Sequence, residues 1–192
     1  MIYHEIRSHK KRAKFAERTL AAFSNTLLDC LKSKPLEELT VNDLCTATNY
    51  PRATFYNYFD DIYDLLNHCW IRIAEDIAID DFSALRDEER TEVLFERCYS
   101  FLRNYEESVE KILRHNPEGG RFQESLRCFI RNHIYIIIQN CPCCVKYQVP
   151  AEMIAEHYSN TIEMLLEWCF VRKNRLKKEN ALTALDYLLG GL

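Results

Sequence analysis

No glycine occurs in the first 118 residues of the chain; all four stand late, at Gly119, Gly120, Gly190 and Gly191. A phosphate-cradling loop of the G-x-x-x-x-G-K or G-x-G-x-x-G kind needs glycine, both for positive φ and for close approach of the backbone to the ligand. Neither loop can be built in that stretch, which excludes kinases, P-loop NTPases and Rossmann dehydrogenases. Glycine and proline together make only nine of 192 residues, less than half the usual share of roughly 12%. With 47% hydrophobic residues and long periodic stretches, the chain reads as all-α. Its length suits one domain, or two small ones sharing a core.

The formal charge of −4 hides a split. Residues 1–60 hold nine basic and seven acidic side chains, a net of +2, whereas residues 61–192 hold sixteen and twenty-two, a net of −6. Arg7, Lys10, Lys11, Arg12, Lys14 and Arg18 carry most of the excess, so the N-terminal third is expected to meet a polyanion. The opening MIYHEIRSHKKR lacks the apolar region of a signal peptide, and the longest apolar run, Ile134 to Ile138, is far short of the roughly 20 residues of a membrane span. A cytoplasmic protein is expected, with its nine cysteines reduced and acting as small hydrophobes.

Ala16, Leu20, Phe23, Leu27 and Leu31 share one helical face, and Pro35 closes it, giving a first helix over about 9–33 with Ser8 as N-cap. Thr40 followed three residues later by Asp43 reads as a capping box opening a short helix with Val41, Leu44 and Cys45 inward. Pro51 disfavours helix at Tyr50, and Asn49 stands where the chain must turn, in the residue type that after glycine best tolerates the left-handed region. A second short helix, Pro51 to Tyr58, places Phe55 and Phe59 inward and Arg52, Thr54, Tyr56, Asn57 and Tyr58 on its other faces. Two short helices joined by a tight turn behind a long basic-tipped helix make a helix-turn-helix. The second has no acidic residue before Asp60, so its outer face can approach phosphates and base edges.

The run Thr40-Val-Asn-Asp-Leu-Cys-Thr-Ala-Thr-Asn-Tyr-Pro-Arg-Ala-Thr-Phe-Tyr-Asn-Tyr-Phe59 closely resembles the DNA-binding domain of TetR-family transcriptional regulators, whose pattern is roughly T-V-x-x-I-A-x-x-A-G-V-S-x-x-T-F-Y-x-x-F. Thr40, Val41, Leu44, Thr54, Phe55, Tyr56 and Phe59 match in spacing, and Ala22-Phe23 with Leu27 are similar to the family's first helix. The resemblance implies that residues 1–60 form a DNA-binding domain and 61–192 a regulatory domain for effector binding and dimerisation. It assigns Thr40 to a phosphate, and Pro51, Arg52, Ala53 and Thr54 to the opening of a recognition helix in the major groove. Arg52 is the candidate for a bidentate guanine contact, Asn57 for adenine, and Tyr56 and Tyr58 for the backbone or a thymine methyl. Lys11 and Arg12 would form a basic arm.

Three positions depart from the pattern: Asn49 stands for the turn glycine, Pro51 for a Ser or Thr N-cap, and Asp60-Asp61-Ile62 for the F-x-x-K lysine. The last loses a cation at the DNA edge, and it favours Asp60 or Asp61 as cap of the next helix.

Ile62, Leu65, Leu66, Cys69, Ile73 and Ile77 predict a fourth helix. Residues 78–88 read as a linker, and helical patterns follow at roughly 89–104, 106–115, 121–139, 151–173 and 177–189, with Asn116-Pro-Glu-Gly-Gly120 a clear break. That totals nine helices. The last two carry apolar residues on more than one stripe, implying contacts with both a core and a partner. The resemblance makes that partner a second copy, met through Met153, His157, Thr161, Met164, Leu182, Leu185 and Leu189. It also implies an effector pocket, for which Phe95, Tyr99, Phe101, Phe122, Phe129, Tyr135 and Trp168 are candidates.

The functional expectation is a homodimeric DNA-binding regulator, a repressor on a pseudo-palindromic operator released by a small molecule, with no cofactor and no membrane partner. Two alternatives stay open. One is a thiol- or metal-responsive regulator using the C-x-x-C of Cys141, Cys143 and Cys144, flanked by His133 and His157, although no second C-x-x-C completes a zinc set. The other is an interaction protein that has lost specific DNA binding. No Ser-His-Asp set, carboxylate pair or metal-ligand helix motif points to an enzyme.

Overall fold

The computed structural model describes residues 2–78, 87–139, 149–172 and 175–189, with side chains in the first helix from Phe15 onward. Among the described residues the chain is all-α, with nine α-helices and one 3-10 turn. The helices are α1 (Ile2–Leu31), α2 (Val41–Thr48), α3 (Arg52–Tyr56), α4 (Ile62–Ile77), α5 (Asp87–Asn104), α6 (Glu106–His115), α7 (Arg121–Gln139), α8 (Ala151–Phe170) and α9 (Lys178–Leu189), with the 3-10 turn at Leu36–Glu38 between α1 and α2. Several expected boundaries move: α5 starts at Asp87, inside the expected linker, and α8 ends at Phe170 rather than 173. Ser8 lies inside α1 rather than capping it, because residues 2–7 contain nothing that breaks a helix and a capping side chain alone does not start one. The helix from Pro51 ends at Tyr56 rather than Tyr58, where Tyr58 N–H turns to the Phe55 carbonyl at 3.0 Å and tightens the chain.

Two clusters of buried side chains divide the molecule. In the first, the α1 stripe delivers Phe23, Leu27 and Leu31, all fully buried, against Leu44, Phe55 and Phe59, and α4 contributes Ile62, Leu65, Leu66, Cys69 and Trp70. Phe23 meets Phe55 edge-on at 5.3 Å and Phe59 at 6.4 Å, the arrangement that aromatic quadrupoles favour. Thr19 and Ser24 are buried polar residues in the same helix. Their hydroxyls donate to the carbonyls of Phe15 (3.0 Å) and Leu20 (2.8 Å), which removes the cost of burial. The second cluster gathers Phe95, Ile134, Ile138, Ile154, Ala155, Ile162, Leu165, Phe170 and Leu185 from α5, α7, α8 and α9. Phe129 of α7 packs against both clusters, and Phe122, at the start of the same helix, belongs to the first. No helix among the described residues is long and apolar enough to cross a membrane.

Candidate nucleic-acid interface

The helix-turn-helix is built almost wholly from local hydrogen bonds. Thr40 adopts an extended backbone (φ −117°, ψ 154°), and its Oγ1 accepts from the Asp43 N–H at 3.1 Å. Asp43 returns a carboxylate oxygen to the Thr40 N–H at 3.0 Å and to the Thr40 hydroxyl at 2.8 Å, which completes the capping box. These bonds, the hydroxyl's first, hold the Asp43 carboxyl below its usual range. They also occupy the hydroxyl and N–H of Thr40, the residue that the resemblance assigns to a phosphate, so a phosphate here would have to displace Asp43 or use the other N–H groups of the helix start.

The turn works as its residues suggest. Asn49 sits in the left-handed region (φ 56°, ψ 33°), and Tyr50 N–H reaches back to the Cys45 carbonyl at 3.1 Å. That six-to-one bond marks a Schellman ending. Pro51 follows as N-cap of α3, extended at φ −61° and ψ 149°, with no side-chain cap; its carbonyl accepts from Thr54 N–H at 2.9 Å. Phe55, wholly buried, fixes the rotation of α3 on the core. Pro51, Arg52, Ala53, Tyr56 and Asn57 are consequently exposed, while Thr54 and Tyr58 are half-buried.

Arg52 is pre-arranged on that face. Its Nη2 donates to the Tyr56 hydroxyl at 3.2 Å, and its guanidinium carbon lies 5.8 Å from the Tyr56 ring centre. An arginine held by a neighbouring ring loses less freedom when it forks onto a guanine edge. At the far end, Asp61 caps α4 by accepting from Asp64 N–H at 2.8 Å, and Asp64 accepts from Asp60 N–H at 3.1 Å. The pair of acids that replaces the usual lysine thus serves the start of α4. Lys11 and Arg12 lie on the α1 backbone, and their side chains fall outside the described residues.

The remaining candidates among the described residues lie on α5, α7, α8 and α9. Phe95 is wholly buried beside Tyr99 (6.3 Å) in the second cluster. Phe122 stacks on Trp70 at 5.2 Å in the first, Phe129 bridges the two, and Trp168 stands 41% exposed beneath the Arg172 guanidinium. Phe101 lies against Tyr105 at 4.8 Å, and the Tyr135 hydroxyl donates to Glu152 at 3.2 Å. Phe95 belongs to the second cluster, with Tyr99, Phe129 and Tyr135 packed against it, and Phe122 belongs to the first. Of the residues expected to meet a second copy, Thr161, Leu185 and Leu189 lie in the chain's own core instead, because α8 and α9 pack those faces inward. Leu182 is half-buried, and Met153, His157 and Met164 are exposed. Cys141, Cys143 and Cys144 lie outside the described residues. Among the described thiols, burial pushes Cys69 and Cys98 up to about 11, which keeps them protonated near neutrality.

Sequence reasoning missed a set of contacts behind the interface. Asn116 is 2% exposed; its Oδ1 accepts from Leu36 N–H at 2.8 Å, and its Nδ2 donates to the carbonyls of Leu31 (3.3 Å) and Ile112 (2.9 Å). Glu37 Oε1 accepts from Arg121 N–H at 2.8 Å. The Trp70 indole N–H donates to Ser125 at 3.0 Å, and Arg121 donates to the Tyr63 hydroxyl at 3.1 Å. The sequence marks the Asn116–Gly120 break but carries no signal for partners some eighty residues away.

No family model matches the chain, and no match to a curated protein was found. Solved structures do match. A chain from Syntrophomonas wolfei assigned to the TetR-family transcriptional regulators aligns with a TM-score of 0.62 at 19% identity, covering 90% of this chain and 94% of its own. A TetR transcriptional regulator from Streptococcus agalactiae gives 0.62 at 17% identity, covering 94% and 98%. The dihydroxyacetone kinase operon activator DhaS gives 0.54 at 16% identity, covering 90% and 95%. Each alignment covers at least 90% of this chain and 94% of the other, so the chain has the fold of the TetR-family transcriptional regulators.

Proposed function

We propose that the protein is a homodimeric DNA-binding transcriptional regulator, a repressor that reads a pseudo-palindromic operator and leaves it when a small ligand binds. Residues 1–60 act as the reader and 61–192 as the body, with α4 and Phe122 flooring the reader's core. The observation that carries the reading is the outer face of α3, where Pro51, Arg52, Ala53, Tyr56 and Asn57 are exposed together with no acidic residue between Pro51 and Phe59, on a fold shared with DNA-binding regulators. Arg52 forks onto a guanine, Asn57 reads adenine, and the tyrosines hold the backbone.

A single α3 of five residues reads too few base pairs for specificity, so a second copy is needed. Two recognition helices about 34 to 36 Å apart fit successive major grooves. Met153, His157, Asn160, Met164 and Trp168 form one exposed stripe along α8, the surface on which the second copy packs. A released state requires that the ligand prefer the arrangement unable to bind DNA. Since DhaS, of the same fold, is an operon activator, a reporter assay is read in both directions.

The test is a titration of the purified protein against the DNA flanking its own coding sequence, at two salt concentrations with an unrelated duplex as control. Tight, salt-dependent, pseudo-palindrome-dependent binding is expected. Binding no better than the control, with a genome-wide selection also empty, would contradict the reading.

A further inference from the structure

The corner between α6 and α7 is locked into the stretch that joins α1 to α2. Its first anchor is the Asn116 amide, which spans the junction from one end to the other. It takes the last α1 carbonyl, at Leu31, and the first N–H of the 3-10 turn, at Leu36, while its third bond to Ile112 keeps it on α6. The second anchor runs the opposite way: Glu37 of the 3-10 turn caps the start of α7 by accepting the Arg121 N–H. A Cβ at Gly120 would meet the Glu37 carboxylate at an ordinary 3.5 Å, and its tight contact would be the Pro117 carbonyl at 3.2 Å. Gly119 supplies the positive φ of 82° that turns the chain into α7. The Arg121 N–H also holds the Glu37 carboxyl below its usual range.

Only two residues separate Glu37 from Thr40, the N-cap of α2. The lock therefore acts on the reader directly through the 3-10 turn, separately from the α4 contacts of Trp70 and Tyr63. Because Asn116 is buried, swinging the reader away would strand its amide and the Leu31 and Leu36 backbone groups together. Hydrogen-bonded buried groups of this kind engage or disengage rather than stretch.

We propose that Asn116 and Glu37 are positioning residues that set the angle of the reader on the body and thereby the half-site spacing that a dimer accepts. This rests on the DNA-binding reading above. Neither residue lies on the α3 face, so neither touches a base.

The test uses the full-length protein as wild type, Asn116→Ala, Glu37→Ala and Glu37→Gln. Its probes are the duplex that the wild type selects from a random library, the same duplex with one or two base pairs added to or removed from its centre, and a single half-site. The wild type should discriminate sharply among spacers. Asn116→Ala and Glu37→Ala should bind the half-site like the wild type, lose about tenfold on the full site, and accept altered spacers. Glu37→Gln should behave as wild type, because an amide oxygen still accepts the Arg121 N–H. Wild-type spacing preference in both alanine variants would overturn the proposal. So would a parallel loss on the half-site, which would make the lock a support of the reader's own fold. A wild type that selects no duplex would sink the DNA-binding reading itself, an outcome visible before any variant is made.

Discussion

In the reader, the apolar residues of α1, α2 and α3 close on one another: Phe23, Leu44 and Phe55 are wholly buried, and the exposed aromatic of α3, Tyr56, is engaged by Arg52. In the body, α8 buries Ile154, Ile162 and Leu165 on one side but leaves Met153, Met164 and Trp168 outside, at 59%, 39% and 41% exposure. Tyr187 and Leu188 of α9 are exposed as well. Within residues 15–60 the exposed large apolar side chains are Phe15 and Tyr56, whereas α8 and α9 together leave Met153, Met164, Trp168, Tyr187 and Leu188 outside.

The largest expected effect is in the reader's core. Phe23→Ala removes a ring shared by Tyr50, Phe55 and Phe59 and should cost about 3–5 kcal/mol of stability. Chemical denaturation should register it, while sedimentation still shows a dimer. A loss of both stability and dimerisation would break the contrast between reader and body. The reciprocal change, Trp168→Glu, replaces the largest apolar side chain of the α8 stripe by a charge and should weaken dimerisation by about 100-fold or more, with half-site binding retained. A dimer unaffected by it would move the interface elsewhere. On the reader's surface, Arg52→Ala should leave circular dichroism unchanged and cost about 1–3 kcal/mol of discrimination at one base pair, checked by titrating single-base operator variants.

The smallest effect is a pH dependence. Asp43 carries a carboxyl pulled below its usual value by the Thr40 hydroxyl and N–H. A lowered folded-state pKa gives stability that is complete above the ordinary carboxylate range and lost as pH falls through the lowered value. The start of α2 should therefore hold steady down to about pH 4 and loosen in stronger acid, whereas Asp43→Asn should remove that dependence. Amide exchange of residues 41–44 measures the difference.

Much of the reader was legible because its determinants are near neighbours in sequence. The Thr40/Asp43 box, left-handed Asn49, Pro51 as a break and Asp61 as a cap are all observed, and each depends on a few adjacent residues. The break between α6 and α7 was legible for a similar reason, since Asn116–Gly120 punctuates the pattern, whereas α8 ends at Phe170 rather than 173. What covers a stripe was not legible. Leu185 and Leu189 have the spacing of an interface and lie in the chain's own core, and Phe122, expected at an effector, lies under the reader. Periodicity places a residue on a face without naming its partner. Asn116 was invisible for the same reason: its value lies in Leu31 and Leu36, which only the tertiary fold brings within 3.3 Å and 2.8 Å.

The most direct measurement is selection of duplexes from a random library by the full-length protein, followed by titration of the enriched sequence at two salt concentrations. The account predicts one enriched pseudo-palindrome, with half-sites centred about 10 to 10.5 base pairs apart or a multiple of that, bound more weakly as salt rises. A library that stays random at low salt, with the protein folded and dimeric, would contradict it.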